Sequence, residues 1–206
     1  MDQQHETATM GMWLFLVTEI MFFGGMFCAY LVYRYNYFTA WDVGSQHMEI
    51  KWGAINTVVL ICSSLTMVLA VHAAKLGNKK MIVFFLFLTI LLGAAFLGIK
   101  AVEYTNHWNA GEVPGLNWHP SELGNADPRH VAIFFSLYFC MTGMHALHMV
   151  IGIGLLTWLL IRAQKGDFTS EYNSPVEMTG LYWHFVDVVW IYLFPLLYLV
   201  SHHHHS

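Results

Sequence analysis

The sequence carries little charge. Of its 206 residues only 11% are Asp, Glu, Lys or Arg, against about 25% in ordinary soluble domains, so water cannot be the main solvent of this chain. The 9 basic and 13 acidic residues leave a formal charge of −4, with no basic stripe and no acidic block. That distribution argues against a nucleic-acid footprint and against a strongly charged partner. Cysteine is scarce as well. Cys28, Cys62 and Cys140 form neither a C-x-x-C pair nor a disulfide framework, and each falls inside an apolar run, as a small buried hydrophobe would. Residues Met1 to Thr9 lack the positive stretch and the small-residue cleavage site of a signal peptide, so the first apolar run is expected to be retained. Internal repeats of the inverted-transporter kind and low-complexity segments are also missing. The terminal run His202 to His205 reads either as native sequence or as the remnant of a purification tag, and it enters no argument.

What is present is apolar sequence in long runs, with 57% hydrophobic residues and a mean hydropathy of +0.50. A helix rises about 1.5 Å per residue and a bilayer core is ~30 Å thick, so a span needs about 20 residues with few charges. Five windows meet that condition, at 10–33, 54–74, 81–104, 131–161 and 179–200. They predict an all-α integral membrane bundle of five transmembrane helices, forming a single membrane domain over 1–206. The fourth window is longer than a bilayer requires and is expected to tilt or project.

Lys75 to Lys80 is a tight basic turn that makes the second and third spans an antiparallel hairpin. Placing it on the cytoplasmic side puts the N-terminus inside and the C-terminus outside. Inside loops then hold Lys75, Lys79, Lys80, Arg162 and Lys165, against Arg34, Lys51, Lys100 and Arg129 outside, a margin of five to four. The longest connection, 105–130, contains Pro114, Pro120 and Pro128 with several Gly and Asn, which predicts an irregular extramembrane loop with Trp108 and Trp118 as interfacial anchors. Small residues four apart, Ala70 with Ala74, Ala94 with Gly98 and Thr142 with Ala146, are read as close helix packing.

An ionisable side chain at the centre of a span costs about 2.5–3.5 kcal/mol on insertion scales, so each one should face protein or water rather than lipid. Glu19 lies in the first span, His145 and His148 are in the middle of the fourth, and His184 and Asp187 are in the fifth. His145 and His148 are three apart, hence on one helix face, where they can pair or receive a common partner; His184 and Asp187 have the same spacing. A carboxylate beside an imidazole suits a proton relay or the support of a metal ligand, and it equally satisfies two buried polar groups. Structural interhelical hydrogen bonding is the favoured reading of these residues, and metal binding the weakest, because no ligand pattern repeats across helices. Glu19, set among Trp13, Phe15, Met21, Phe22 and Phe23, fits proton exchange and a quiet hydrogen bond equally well. Lys100 and Glu103, three apart at the outer end of the third span, read as an intrahelical ion pair.

Four segments carry a resemblance. Residues 182–190, Tyr-Trp-His-Phe-Val-Asp-Val-Val-Trp, resemble the last helix of haem-copper oxidase subunit III. Residues 11–19 with Phe22 and Phe23, then Asn56-Thr57, then Gly143-Met144-His145-Ala146-Leu147-His148, resemble the same family in the same order, so the resemblance covers nearly all of 10–200. The resemblance implies the compact five-helix bacterial type, since the chain begins where the third helix of seven-helix members would. Those members' first two helices lean away to make a lipid-filled cleft, so lipid binding does not carry over in that form. A subunit without haem or copper is implied, in an oxidoreductase complex of a bacterial inner membrane. It would pack against the catalytic subunit I and other oxidase subunits, which hold the haem and copper, and against bound phospholipid, within a larger respiratory assembly. Glu19 matches the family's carbodiimide-reactive carboxylate, and His145, His148, His184 and Asp187 match its recurrent polar positions. No residue of this chain is expected to be catalytic. The rival readings are the matching subunit of a nitric oxide reductase and an autonomous membrane metalloenzyme.

Overall fold

The computed structural model describes residues 2–46, 48–119, 126–168 and 172–199; Pro120, Val200 and the terminal histidine run lie outside them. Six helices follow one another: α1 Asp2–Asn36, α2 Phe38–Gln46, α3 Ile50–Lys75, α4 Lys79–Asn109, α5 Pro128–Lys165 and α6 Ser174–Tyr198. Five of them, α1 from Thr9 onward and α3 to α6, are long and apolar enough to cross a membrane. The chain is a multi-pass membrane protein.

Polar residues turn inward and large apolar ones outward. Asn56, Ser63, Thr89, Lys100, Glu103 and His145 are buried, while Leu65, Val68, Phe84, Phe87 and Val150 are exposed. In a bilayer this is the stable arrangement, because lipid accepts the apolar side chains and only protein can satisfy the polar ones. The three cysteines, expected to be buried, all face outward, at positions where a thiol meets lipid at little cost.

Helices α3, α4, α5 and α6 close into a ring in which each touches the next and α6 returns to α3. Two tight turns lie on one face of the ring. In the first, Gly77 takes φ 67° and the Asn78 N–H donates to the Ala73 carbonyl at 3.1 Å. In the second, Gly166 takes φ 87° and the Asp167 N–H donates to the Arg162 carbonyl at 3.3 Å. Both use left-handed glycine to satisfy the last carbonyls of a helix. Lys75 of the first turn meets Glu177 of α6 at 3.0 Å, which ties that turn to the start of α6.

Trp183 of α6 is the wedge between α4 and α5. Its indole is fully buried and fills space that only glycine leaves open: a Cβ on Gly93 of α4 would lie 2.9 Å from it, and one on Gly152 of α5 2.8 Å. Its Nε1 donates to Ser63 Oγ of α3 at 2.9 Å, so one side chain ties all four helices of the ring. Of the small-residue pairs read from the sequence, Ala70 and Ala74 are buried. Ala94 and Gly98 instead face outward, with open space beside Gly98, because the inward face of α4 runs through Gly93, Phe96 and Lys100.

The described part of the 105–130 connection is regular rather than an irregular loop. Helix α4 continues to Asn109, and β1 (Glu112–Val113) pairs antiparallel with β2 (Asn117–Trp118). Asp127 then caps α5, its carboxylate accepting the Arg129 N–H at 2.9 Å, with Pro128 in the first turn. The short α2 is no span, since nine residues cannot cross a bilayer. It lies against α5, where Gly44 admits the ring of Phe134 and Trp41 is fully buried.

Candidate functional site

The intramembrane polar residues do not converge on one centre; they form three separate groupings. The first joins α1 to α5. Glu19 Oε2 lies 3.1 Å from His148 Nε2, and His148 Nδ1 lies 2.8 Å from the Met144 carbonyl. A carbonyl only accepts, so Nδ1 carries its proton, and the contact at Nε2 then needs a second one, whether on the carboxyl or on the ring. Glu19 and His148 therefore share one proton, held inside the apolar shell of the bundle. Tyr182 of α6 donates to the His148 carbonyl at 2.9 Å and fixes the same turn of α5.

The second grouping joins α3 to α6. His184 Nδ1 lies 2.8 Å from Ser64 Oγ, not against Asp187, whose two carboxyl oxygens have no hydrogen-bond partner among the described residues. The three-residue spacing puts both side chains on one face of α6, but the hydroxyl from α3 takes the imidazole. Ser64→Ala should therefore destabilise the bundle by about 0.5–1.5 kcal/mol, the net worth of a half-buried hydrogen bond. A thermal melt in lipid nanodiscs reads this, and a change smaller than its error would remove Ser64 as the partner. Likewise His145 and His148 share a face without sharing a partner: both ring nitrogens of His145 are unpartnered among the described residues, and the ring sits between Phe96 and Trp190.

The third grouping is the densest. Lys100 and Glu103 pair at 3.0 Å on α4, both nearly fully buried. Tyr138 of α5 donates to Glu103 Oε1 at 2.6 Å, and the Tyr198 hydroxyl of α6 donates to the same oxygen. Lys100 Nζ donates to the Tyr198 hydroxyl at 2.7 Å and lies 4.7 Å from the centroid of the Trp190 ring. The intrahelical ion pair read from the sequence is present, and it is part of a four-residue buried network across three helices. One turn further along α4, His107 Nδ1 meets Glu112 of β1 at 2.5 Å. Sequence reasoning passes over Tyr138, Tyr198, His107 and Glu112. The signal for His107 was there, since 100, 103 and 107 share one face of α4, but tyrosines 35 and 95 residues away from Glu103 carry no local mark.

Among the described residues no three His, Cys, Asp or Glu side chains come together as metal ligands.

These features define a class: a membrane-embedded bundle of five spans whose interior is tied by hydrogen bonds and one buried ion pair, without a convergent ligand set among its described residues. The family described as Cytochrome c oxidase subunit III matches residues 3–110 and 121–202. Quinol oxidase subunit 3 of Bacillus subtilis (strain 168) is 32% identical over 204 residues, covering 98% of this chain and 92% of that protein. Cytochrome c oxidase subunit 3 of Corynebacterium diphtheriae is 34% identical over 195 residues, covering 94% and 88%, and that of Thermostichus vulcanus is 32% identical over 204 residues, covering 97% and 92%. The chain belongs to the cytochrome c oxidase subunit III family.

Proposed function

We propose that this chain serves as the non-catalytic third subunit of a proton-pumping respiratory haem-copper oxidase. The observation that carries the reading is the family match over almost the whole chain, with both quinol and cytochrome c oxidase subunits among its relatives. The oxidase names of those relatives favour this over a nitric oxide reductase. In this reading haem and copper reside in partner chains, the catalytic subunit I foremost, and this chain supports proton uptake and the stability of the complex. Its setting is a bacterial inner membrane, with the N-terminus cytoplasmic and the basic turns at Lys75–Lys80 and Arg162–Lys165 on the same side. Phospholipid occupies its outward faces.

Purification in mild detergent, mass spectrometry of the co-purifying chains and an optical spectrum test the assignment together. A large haem-bearing partner is expected, and its absence from an otherwise intact complex would sink the reading. A second expectation concerns the proton shared by Glu19 and His148. Glu19→Gln keeps the shape and can still donate from its amide to Nε2, so assembly should persist, whereas Glu19→Ala leaves His148 without its interhelical partner and loosens α1 from α5. Protease sensitivity of α1 in the assembled complex checks this; equal resistance in both variants would contradict it.

A further inference from the structure

An imidazole without hydrogen-bond partners among the described residues lies against one buried indole. Trp190 of α6 is fully buried; its Nε1 donates to Thr57 Oγ1 at 3.1 Å, and its ring centroid lies 5.3 Å from that of His145 and 4.7 Å from Lys100 Nζ. Next to Thr57, Asn56 is 0% exposed and His145 is 1% exposed. Neither the two amide atoms of Asn56 nor the two ring nitrogens of His145 meet a partner among the described residues. Buried amides and imidazoles almost always hold a hydrogen bond, to protein or to ordered water. The His145 nitrogens, beside the Trp190 ring, mark a place that takes water, and the Asn56 amide, one residue before the Thr57 that holds the indole, marks another on α3.

A route reaches this place from outside. On the face that carries the α4–α5 connection, a pocket of about 160 Å³ is lined by Glu49, Trp52, Glu103, Asn106, His107 and Glu112, room for several waters at about 10–15 Å³ each on this measure. Glu103 is its floor and also the acceptor for Tyr138, Tyr198 and Lys100. Trp52 lines the pocket on α3, and Asn56 lies one turn deeper on the same helix. From Glu103 the hydroxyl of Tyr198 leads to Lys100, which lies against the same Trp190 ring that His145 contacts. Phe96, packed edge-on against both His145 and Trp190, bounds the deep end.

We propose that α3, α4, α5 and α6 enclose a hydrated half-channel that runs from this pocket past Glu103, Tyr198 and Lys100 to His145 and exchanges protons with water on that face alone. A proton from bulk water passes along hydroxyls and bound waters to an acceptor nitrogen of His145, and returns by the same path. Only O–H and N–H bonds form and break, and nothing is oxidised. The charged and titratable groups facing His145 are Lys100 of α4 and His148 on the next turn of α5. On α6, Tyr198 contacts the same indole and Asp187 lies one turn before it; α3 contributes the neutral Asn56 and Thr57.

Radiolytic hydroxyl-radical footprinting of the intact membrane complex, read residue by residue by mass spectrometry, tests the water. Radicals arise where water resides, so Trp190 should be oxidised several-fold more than Trp183, an equally buried indole bonded to Ser63. Asn106→Trp and Ala110→Trp, two independent plugs in the exposed pocket wall, should each lower Trp190 oxidation several-fold and leave Trp183 unchanged. Trp190 as silent as Trp183 overturns the half-channel, and so does labelling of Trp190 that neither plug reduces. An infrared titration of the same complex tests the proton: an imidazole band that moves with pH and vanishes in His145→Gln is expected. A spectrum identical in wild type and variant at every pH overturns the exchange.

Discussion

Lys100→Met is expected to destabilise the subunit by about 3–5 kcal/mol, the cost of leaving one member of a buried ion pair without its partner. Glu103 is 5% exposed and would keep its two tyrosine donors but lose the cation that meets its second oxygen. Lys100→Met combined with Glu103→Gln removes both charges while keeping an acceptor for the tyrosines, and should recover about 2 kcal/mol or more of that loss. The comparison separates two ideas that a single variant confuses. If the pair matters as a pair, the two substitutions couple strongly; if Lys100 acts by packing its stem against Trp190, the double variant is as unstable as the sum of the two singles. Melting curves of the complex in nanodiscs decide, and an additive cycle would discard the ion pair as the organising contact.

Trp183→Ala should cost a similar amount, about 3–5 kcal/mol, for a different reason. Removing a large buried aromatic leaves a cavity that the bundle closes only in part, and the bond to Ser63 goes with it. The slot is specific to an indole because Gly93 and Gly152 line it. Gly152→Val therefore acts from the opposite side, overfilling the same slot at about 1–3 kcal/mol. The two changes should not rescue each other, since valine on one wall cannot replace an aromatic spanning both. A double variant more stable than Trp183→Ala alone, by the same melting assay, would show that the slot collapses freely.

The five spans were legible because the bilayer imposes one length and one composition on each of them. Their ends were not. Window 81–104 stops where charge and polarity begin, yet α4 runs on to Asn109, since the helix there is held by packing against β1 rather than by lipid. Helix α2 escaped because hydropathy registers apolar length, and its nine residues are anchored by Trp41 and a single glycine contact. For the polar residues, spacing shows which side chains share a face and nothing about which neighbour arrives there. That is why His184, three from Asp187, bonds instead to a serine from α3, and why the tyrosines that complete the Lys100 and Glu103 network could not be seen locally.

The attachment of α1 bears on how the chain is made. Its polar anchors, Glu19 and Tyr30, find their partners 129 and 166 positions later, at His148 and Leu196. At about 5–20 residues per second of synthesis, α1 once translated waits on the order of ten seconds before either partner has been made. Throughout that interval a carboxyl group stands in the bilayer with no companion from its own polypeptide. Biogenesis thus contains a vulnerable stage, in which insertion machinery or a previously inserted neighbour must shelter the opening helix until the rest of the molecule arrives to receive it.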